Sequence, residues 1–213
     1  MNMKIMKCIL SVLFSAALFC SCGGGNTTTA VEGLTGKVTL DGYEGRKVYL
    51  ETTDGSAAKL DSAVVTDGKF ALTFNDSVPQ VYRLTLTASE NDPFAITLPV
   101  VSEKGHVQVV MGELVLTSGT PLNDVLQDFL LAVSNFTDKA VDGFKKQLMK
   151  DEKPGLQQVK DDFAKLVEGA VMNNIDNPVG VYIYRAYSRN LTEPQKVQIL
   201  LRGGESFRKA VNQ

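Results

Sequence analysis

From residue 34 to 118 apolar and polar side chains alternate with a period close to two, punctuated by Gly, Asp and Pro. That pattern predicts short strands, at 36–40, 46–52, 59–66, 69–75, 81–88, 94–102, 106–111 and 113–117. Asp67-Gly68 between two of these runs suits a two-residue hairpin turn with positive φ. A hairpin there sets Val65 opposite Phe70, Ala63 opposite Leu72 and Ser62 opposite Thr73. Phe70, Leu72 and Phe74 then face a core, and Ser62 faces solvent. Lys104-Gly105 predicts a second hairpin leading into His106. Many short strands with turns at this spacing favour an antiparallel β-sandwich over a parallel sheet.

At Gly119 the period changes. Thr120-Pro121 provides an N-cap with proline at the first helical position. Apolar residues follow at Leu122, Leu126, Phe129, Val133, Phe136, Ala140, Phe144 and Leu148, one stripe of a helix about 40 Å long. Pro154-Gly155 stops it. A second stripe runs through Leu156, Val159, Phe163, Leu166, Ala170 and Ile175, so the two helices form an αα-hairpin in which each covers the other's seam. Asn177-Pro178 opens a third helix over 179–188. Thr192 and Gln195 form a capping box for a fourth over 193–202, Gly203-Gly204 ends it, and 205–211 is a last short helix. The fold class is α+β, an N-terminal antiparallel β-sandwich (32–119) followed by a helical domain (120–213).

The first residues follow neither pattern. Lys4 and Lys7 precede a thirteen-residue apolar run, Cys8 to Cys20, too short to cross a bilayer core of about 30 Å as a helix. It has the size of a signal-peptide core. The run closes on Phe19-Cys20-Ser21-Cys22 and resembles a bacterial lipoprotein signal, cleaved before Cys22, which then carries the lipid. Residues 1–22 are read as this signal and 23–31 as a flexible tether. The Gly- and Thr-rich stretch 23–30 reaches only about 15 Å on average. The resemblance implies a bacterial envelope lipoprotein bearing palmitate-type acyl chains at the outer membrane. The tether lacks an acidic run, which favours the periplasmic side.

Charge and cysteine use narrow the functions. The leader holds two lysines and no acid, so 20 basic residues face 24 acidic ones in the remaining 192. Neither half has the strongly basic surface that nucleic acid demands. All three cysteines (Cys8, Cys20 and Cys22) lie in the leader or at its cleavage point, which leaves no CxxC site, disulfide, Cys-rich zinc site or cysteine nucleophile in the body. The one histidine, His106, reads as a partly exposed strand residue. Asp151-Glu152 and Asp161-Asp162 are neighbours on helices, about 100° apart, and converge on nothing. Tyr182, Arg185 and Arg189 share a helix face and form a candidate binding rim for an anion or a ring. Phe129, Phe136 and Phe144 read as core. No catalytic, cofactor or metal site emerges.

Several strings in order carry a further resemblance. They are Leu60-Asp61-Ser62-Ala63-Val64-Val65, Asp67-Gly68-Lys69-Phe70, Ser102-Glu103-Lys104-Gly105-His106-Val107, Ser118-Gly119-Thr120-Pro121-Leu122-Asn123 and Asp176-Asn177-Pro178-Val179-Gly180. The chain resembles the DUF4369 module that precedes thioredoxin-like domains in envelope lipoproteins of gut-commensal Gram-negative bacteria. The strings are turns and caps rather than reactive groups. No cysteine follows Cys22, so the relatives' CxxC chemistry is not carried over. Asp61-Ser62-Ala63 and Asp76-Ser77-Val78 also resemble the envelope O-glycosylation motif of such bacteria, with Ser62 and Ser77 as acceptors. The expectation is a non-catalytic binding or scaffolding lipoprotein without cofactors. Two alternatives stand beside it: an accessory that docks a separate thioredoxin-like protein, and a peptide- or glycan-binding protein with a cleft between sandwich and helices.

Overall fold

The computed structural model describes residues 33–87, 95–150 and 155–212. Within them eight strands form: β1 (Gly33–Val38), β2 (Lys47–Thr52), β3 (Lys59–Val64), β4 (Lys69–Thr73), β5 (Val81–Thr87), β6 (Ala95–Val101), β7 (His106–Met111) and β8 (Leu116–Ser118). They make two four-stranded sheets, ordered β4-β1-β7-β8 and β3-β2-β5-β6. Leu34, Phe70, Leu72, Val107 and Met111 of the first sheet meet Val48, Leu50, Leu84, Leu86, Leu98 and Val100 of the second in one core. The expected α+β class and its β-then-α order hold. One pair departs from the antiparallel expectation: β1 and β7 run parallel. Between them the chain visits the second sheet and returns, so a neighbour running in the same direction needs no tight turn.

Both expected hairpins are corrected. Asp67 and Gly68 do adopt positive φ (51° and 66°), and Thr66 and Lys69 exchange backbone bonds of 2.8 and 3.0 Å. The Glu44 carboxylate accepts the N–H groups of both turn residues, at 3.0 and 3.2 Å. Past the turn, however, the strands part into different sheets. Ala63 lies opposite Val48 and Ser62 opposite Tyr49, while Phe70 faces Gly36 and Leu72 faces Leu34. The reason is steric: the Phe70 ring fills the space over Gly36, and a Cβ there would overlap it. Lys104-Gly105 likewise joins β6 of one sheet to β7 of the other, not two paired strands.

Helices follow as α1 (Pro121–Met149), α2 (Leu156–Asn173), α3 (Pro178–Tyr187), α4 (Glu193–Arg202) and α5 (Gly204–Val211), with a 3-10 turn at Ser188–Asn190. The Asn177 side chain caps α3 by accepting from Val179 N at 2.9 Å. Thr192 N donates to Gln195 Oε1 at 2.9 Å in the α4 capping box. The mutual cover expected of α1 and α2 is corrected. Leu126 and Phe129 near the start of α1 are buried, but Leu148 and Met149 at its end are exposed. On α2 the deepest residues are Ala164, Val167 and Val171, rotated from the expected stripe. Three further helices compete for that surface, so α2 turns its most apolar face towards them.

The helices form a second core, and strand parity explains how the sandwich joins it. Leu84 and Val100 point between the sheets, so Val81 and Val101, an odd number of residues away, point outward. These two pair across β5 and β6 and are buried among helical residues. A polar bolt completes the joint. Asn123, fully buried, accepts from Val101 N at 2.9 Å and donates to Val101 O and Thr120 Oγ1, each at 2.8 Å. Gln127 Oε1 accepts Thr117 N at 2.7 Å. Glu103 accepts the free N–H groups of Leu122 and Asn123 at the positive end of α1.

Candidate functional site

The outer face of the second sheet and the helices α3 and α5 do not close completely on each other. Two adjoining cavities of about 350 and 510 Å³ lie between them, both bordered by Thr53, Tyr182 and Arg185. Volumes of this size suit a small ligand or a few units of a polymer. The helical period of α3 creates the wall: Val179 and Ile183 bury one side, leaving Tyr182, Arg185 and Ala186 to face the sheet. The loop after β2 brings Thr53 and Asp54, and the outward positions of β5 and β6 bring Arg83, Thr97 and Pro99.

The polar groups of this cleft are held differently. Arg83 donates to Glu51 Oε2 through Nε at 3.2 Å and through a terminal nitrogen at 2.9 Å, and Thr85 donates to the same oxygen at 2.8 Å. Its charge is therefore already matched. Arg185 donates to the Ala210 carbonyl in the last turn of α5, where a helix favours a cation. Among the described residues Arg185 forms no ion pair. Burial, followed by the charge of Tyr187, pushes the Tyr182 phenol up to about 12, with Arg83 opposing. It stays a neutral hydroxyl at physiological pH. On the opposite lip the Ser56 and Thr52 hydroxyls and the Ser56 N–H hold the Asp54 carboxyl at about 2. The cleft thus presents a guanidinium without a carboxylate partner among the described residues, a neutral phenol and a fixed carboxylate. That set can orient a polar ligand.

Of the expected rim, Tyr182 and Arg185 come together and Arg189 does not. The α-helix ends at Tyr187, and the tighter 3-10 turn rotates Arg189 away from that face. Arg189 instead lines a groove between α1 and α2, with Phe136, Phe144 and Phe163. Phe129 is core as expected, whereas Phe136 and Phe144 are only partly buried. His106 is exposed, and its Nε2 lies 2.8 Å from Thr35 Oγ1. Ser62 and Ser77 are both exposed, on β3 and in the loop before β5. Asp161 and Asp162 bond separately to Gln157 and Gln158, each at 2.8 Å, and do not converge. Cys22 and Asp151-Glu152 lie outside the described residues. Among the described residues no group of three or more His, Cys, Asp and Glu side chains is arranged to hold a metal ion. No helix among them is long and apolar enough to cross a membrane.

Sequence reasoning missed Asp54, the Glu51–Arg83 pair and the Asn123 bolt. Asp54-Gly55-Ser56 carries a turn signature that could have marked the first. Glu51 and Arg83 occupy the polar positions of strands that alternate, so no sequence signal set this pair apart.

A two-sheet β module with a helical cap packed on one end, and a polar cleft at the joint, is the class these features define. Residues 33–126 match the family model of the domain of unknown function DUF4369. This part of the chain is similar to that domain, and the match runs through the first turns of α1 to include Asn123. No curated protein matches the chain. Among solved structures it is similar to (S)-allantoin synthase, at 18% identity and a TM-score of 0.27, over 42% of this chain and 43% of that one. The similarity spans less than half of either protein and carries no functional argument.

Proposed function

We propose that this chain is a non-catalytic binding module of the bacterial cell envelope, held at the outer membrane by lipid on Cys22, and that the junction cleft receives its ligand. The observation that carries the reading is the convergence of Thr53, Tyr182 and Arg185 on both cavities. These groups can recognise, but they lack the nucleophile and base that turnover needs. An extended peptide or glycan suits the site, because its polar groups are spread along a trough and carry opposite charges at Arg185 and Asp54. The tether supports the same reading: two or more acyl chains, at about 0.8 kcal/mol per buried methylene, anchor a protein durably.

The test is binding of the body from residue 23 onward to peptide and glycan arrays, repeated with Arg185→Ala and Tyr182→Phe. The expected result is a common ligand whose affinity falls at least tenfold without Arg185. Equal binding by wild type and Arg185→Ala, or hydrolysis of the ligand by the purified body, would refute the proposal. Cys22→Ala should leave an unprocessed precursor that takes up no labelled palmitate, and a normally labelled product would remove the anchor.

A further inference from the structure

The distal half of α1 has a different surface from the junction. Phe136, Ala140 and Phe144 recur every four residues along it, and α2 sets Val159 and Phe163 across from them. The Phe136 and Phe163 rings touch, with centroids 5.2 Å apart. Beside them the two helices leave a groove of about 500 Å³ with an apolar floor. Lys160 and Arg189 stand at its lips, and no lining residue is acidic. Neither cation forms an ion pair among the described residues. An apolar trough with cationic lips is complementary to a molecule that has an apolar tail and an anionic head. Size favours a thin occupant: a helix 10–12 Å across fills roughly 500 Å³ in a single turn, too little to hold a partner helix.

We propose that this groove binds a single-chain anionic amphiphile, its alkyl tail along Phe136, Ala140 and Phe144 and its carboxylate or phosphate head between Lys160 and Arg189. The site is separate from the junction cleft and stands or falls independently of it. The head could belong to a free fatty acid or to a single-chain phospholipid, and the ligand series below separates them.

The body from residue 23 onward contains every described element and both cores. Calorimetric titration below micellar concentrations would use decanoate, dodecanoate, dodecyl phosphate and dodecyl maltoside. Dodecanoate is expected to bind one-to-one. Its affinity should exceed that of decanoate by about twofold to fourfold for each added methylene, since the groove is partly open. The neutral maltoside should bind at least tenfold more weakly. A tighter dodecyl phosphate complex would point to the phospholipid, and a tighter dodecanoate complex to the fatty acid. Lys160→Gln with Arg189→Gln, both exposed, should abolish the preference for an anionic head while keeping the dependence on tail length. Ala140→Arg should block the groove and end binding. Absence of saturable binding, equal affinity for the neutral head, or an unchanged complex in Ala140→Arg would overturn the proposal. So would dimerisation through this face that excludes dodecanoate.

Discussion

Replacing Asn123 with alanine removes the one side chain that bonds simultaneously to β6, β8 and the cap of α1. Val101 N–H would lose its partner in a place without solvent access, while Val101 C=O would keep the Glu103 N–H at 3.1 Å. The hydroxyls of Thr117 and Thr120 can rotate elsewhere, so the cost rests chiefly on the Val101 N–H. At about 1–3 kcal/mol for a buried group left unsatisfied, the loss should be about 1–3 kcal/mol. A domain of this size has about 5–15 kcal/mol to lose. Urea unfolding followed by circular dichroism measures it. The helical signal is expected to melt before the β signal, because the bolt joins the two cores. Asn123→Asp should be as damaging at neutral pH, where its carboxylate faces the Val101 carbonyl, and should partly recover on acidification. A loss below about 1 kcal/mol with an unchanged m-value would refute the reasoning, since Val101 would then have found other partners.

Gly180 packs against the Asn174 carbonyl so closely that a Cβ would overlap backbone that cannot yield. Gly180→Ala should therefore cost about 2 kcal/mol or more, and an unchanged Tm would reject that account. Gly169 sits in α2 with open space around its missing side chain, so Gly169→Ala should add about 0.5–1 kcal/mol in thermal unfolding. A destabilised variant would argue against that helix. Asp54 should titrate by NMR near 2, and Ser56→Ala should raise its midpoint. Because its folded value lies below the unfolded 3.8, its contribution is present above that pH and lost as pH falls towards 2. Tyr182 should remain un-ionised in an absorbance titration until about pH 12. Its folded value lies above 10, so its contribution is complete below pH 10 and lost as pH rises towards 12. A Tyr182→Phe variant that leaves the late-titrating absorbance unchanged would contradict this assignment.

The sequence by itself determined the local structure. Period two and period three to four marked nearly every strand and helix, because burial of one face imposes those repeats whatever the element packs against. Asp67-Gly68, Asn177-Pro178 and Thr192 with Gln195 formed as read, since each turn or cap closes its bonds within a few residues. Only the tertiary structure decided which strand found which partner. The Asp67-Gly68 turn is compatible with a hairpin or with a crossing between sheets, and the choice lay with Phe70 and a glycine 34 positions away at Gly36. The parallel pairing of β1 with β7 rests equally on distant residues. The junction cleft and the α1–α2 groove were legible only as lone candidates, Tyr182, Arg185, Arg189 and a row of phenylalanines. Their grouping depends on where α3 stops and how far α1 outruns its neighbours. Those are differences in packing between whole elements, which no local repeat encodes.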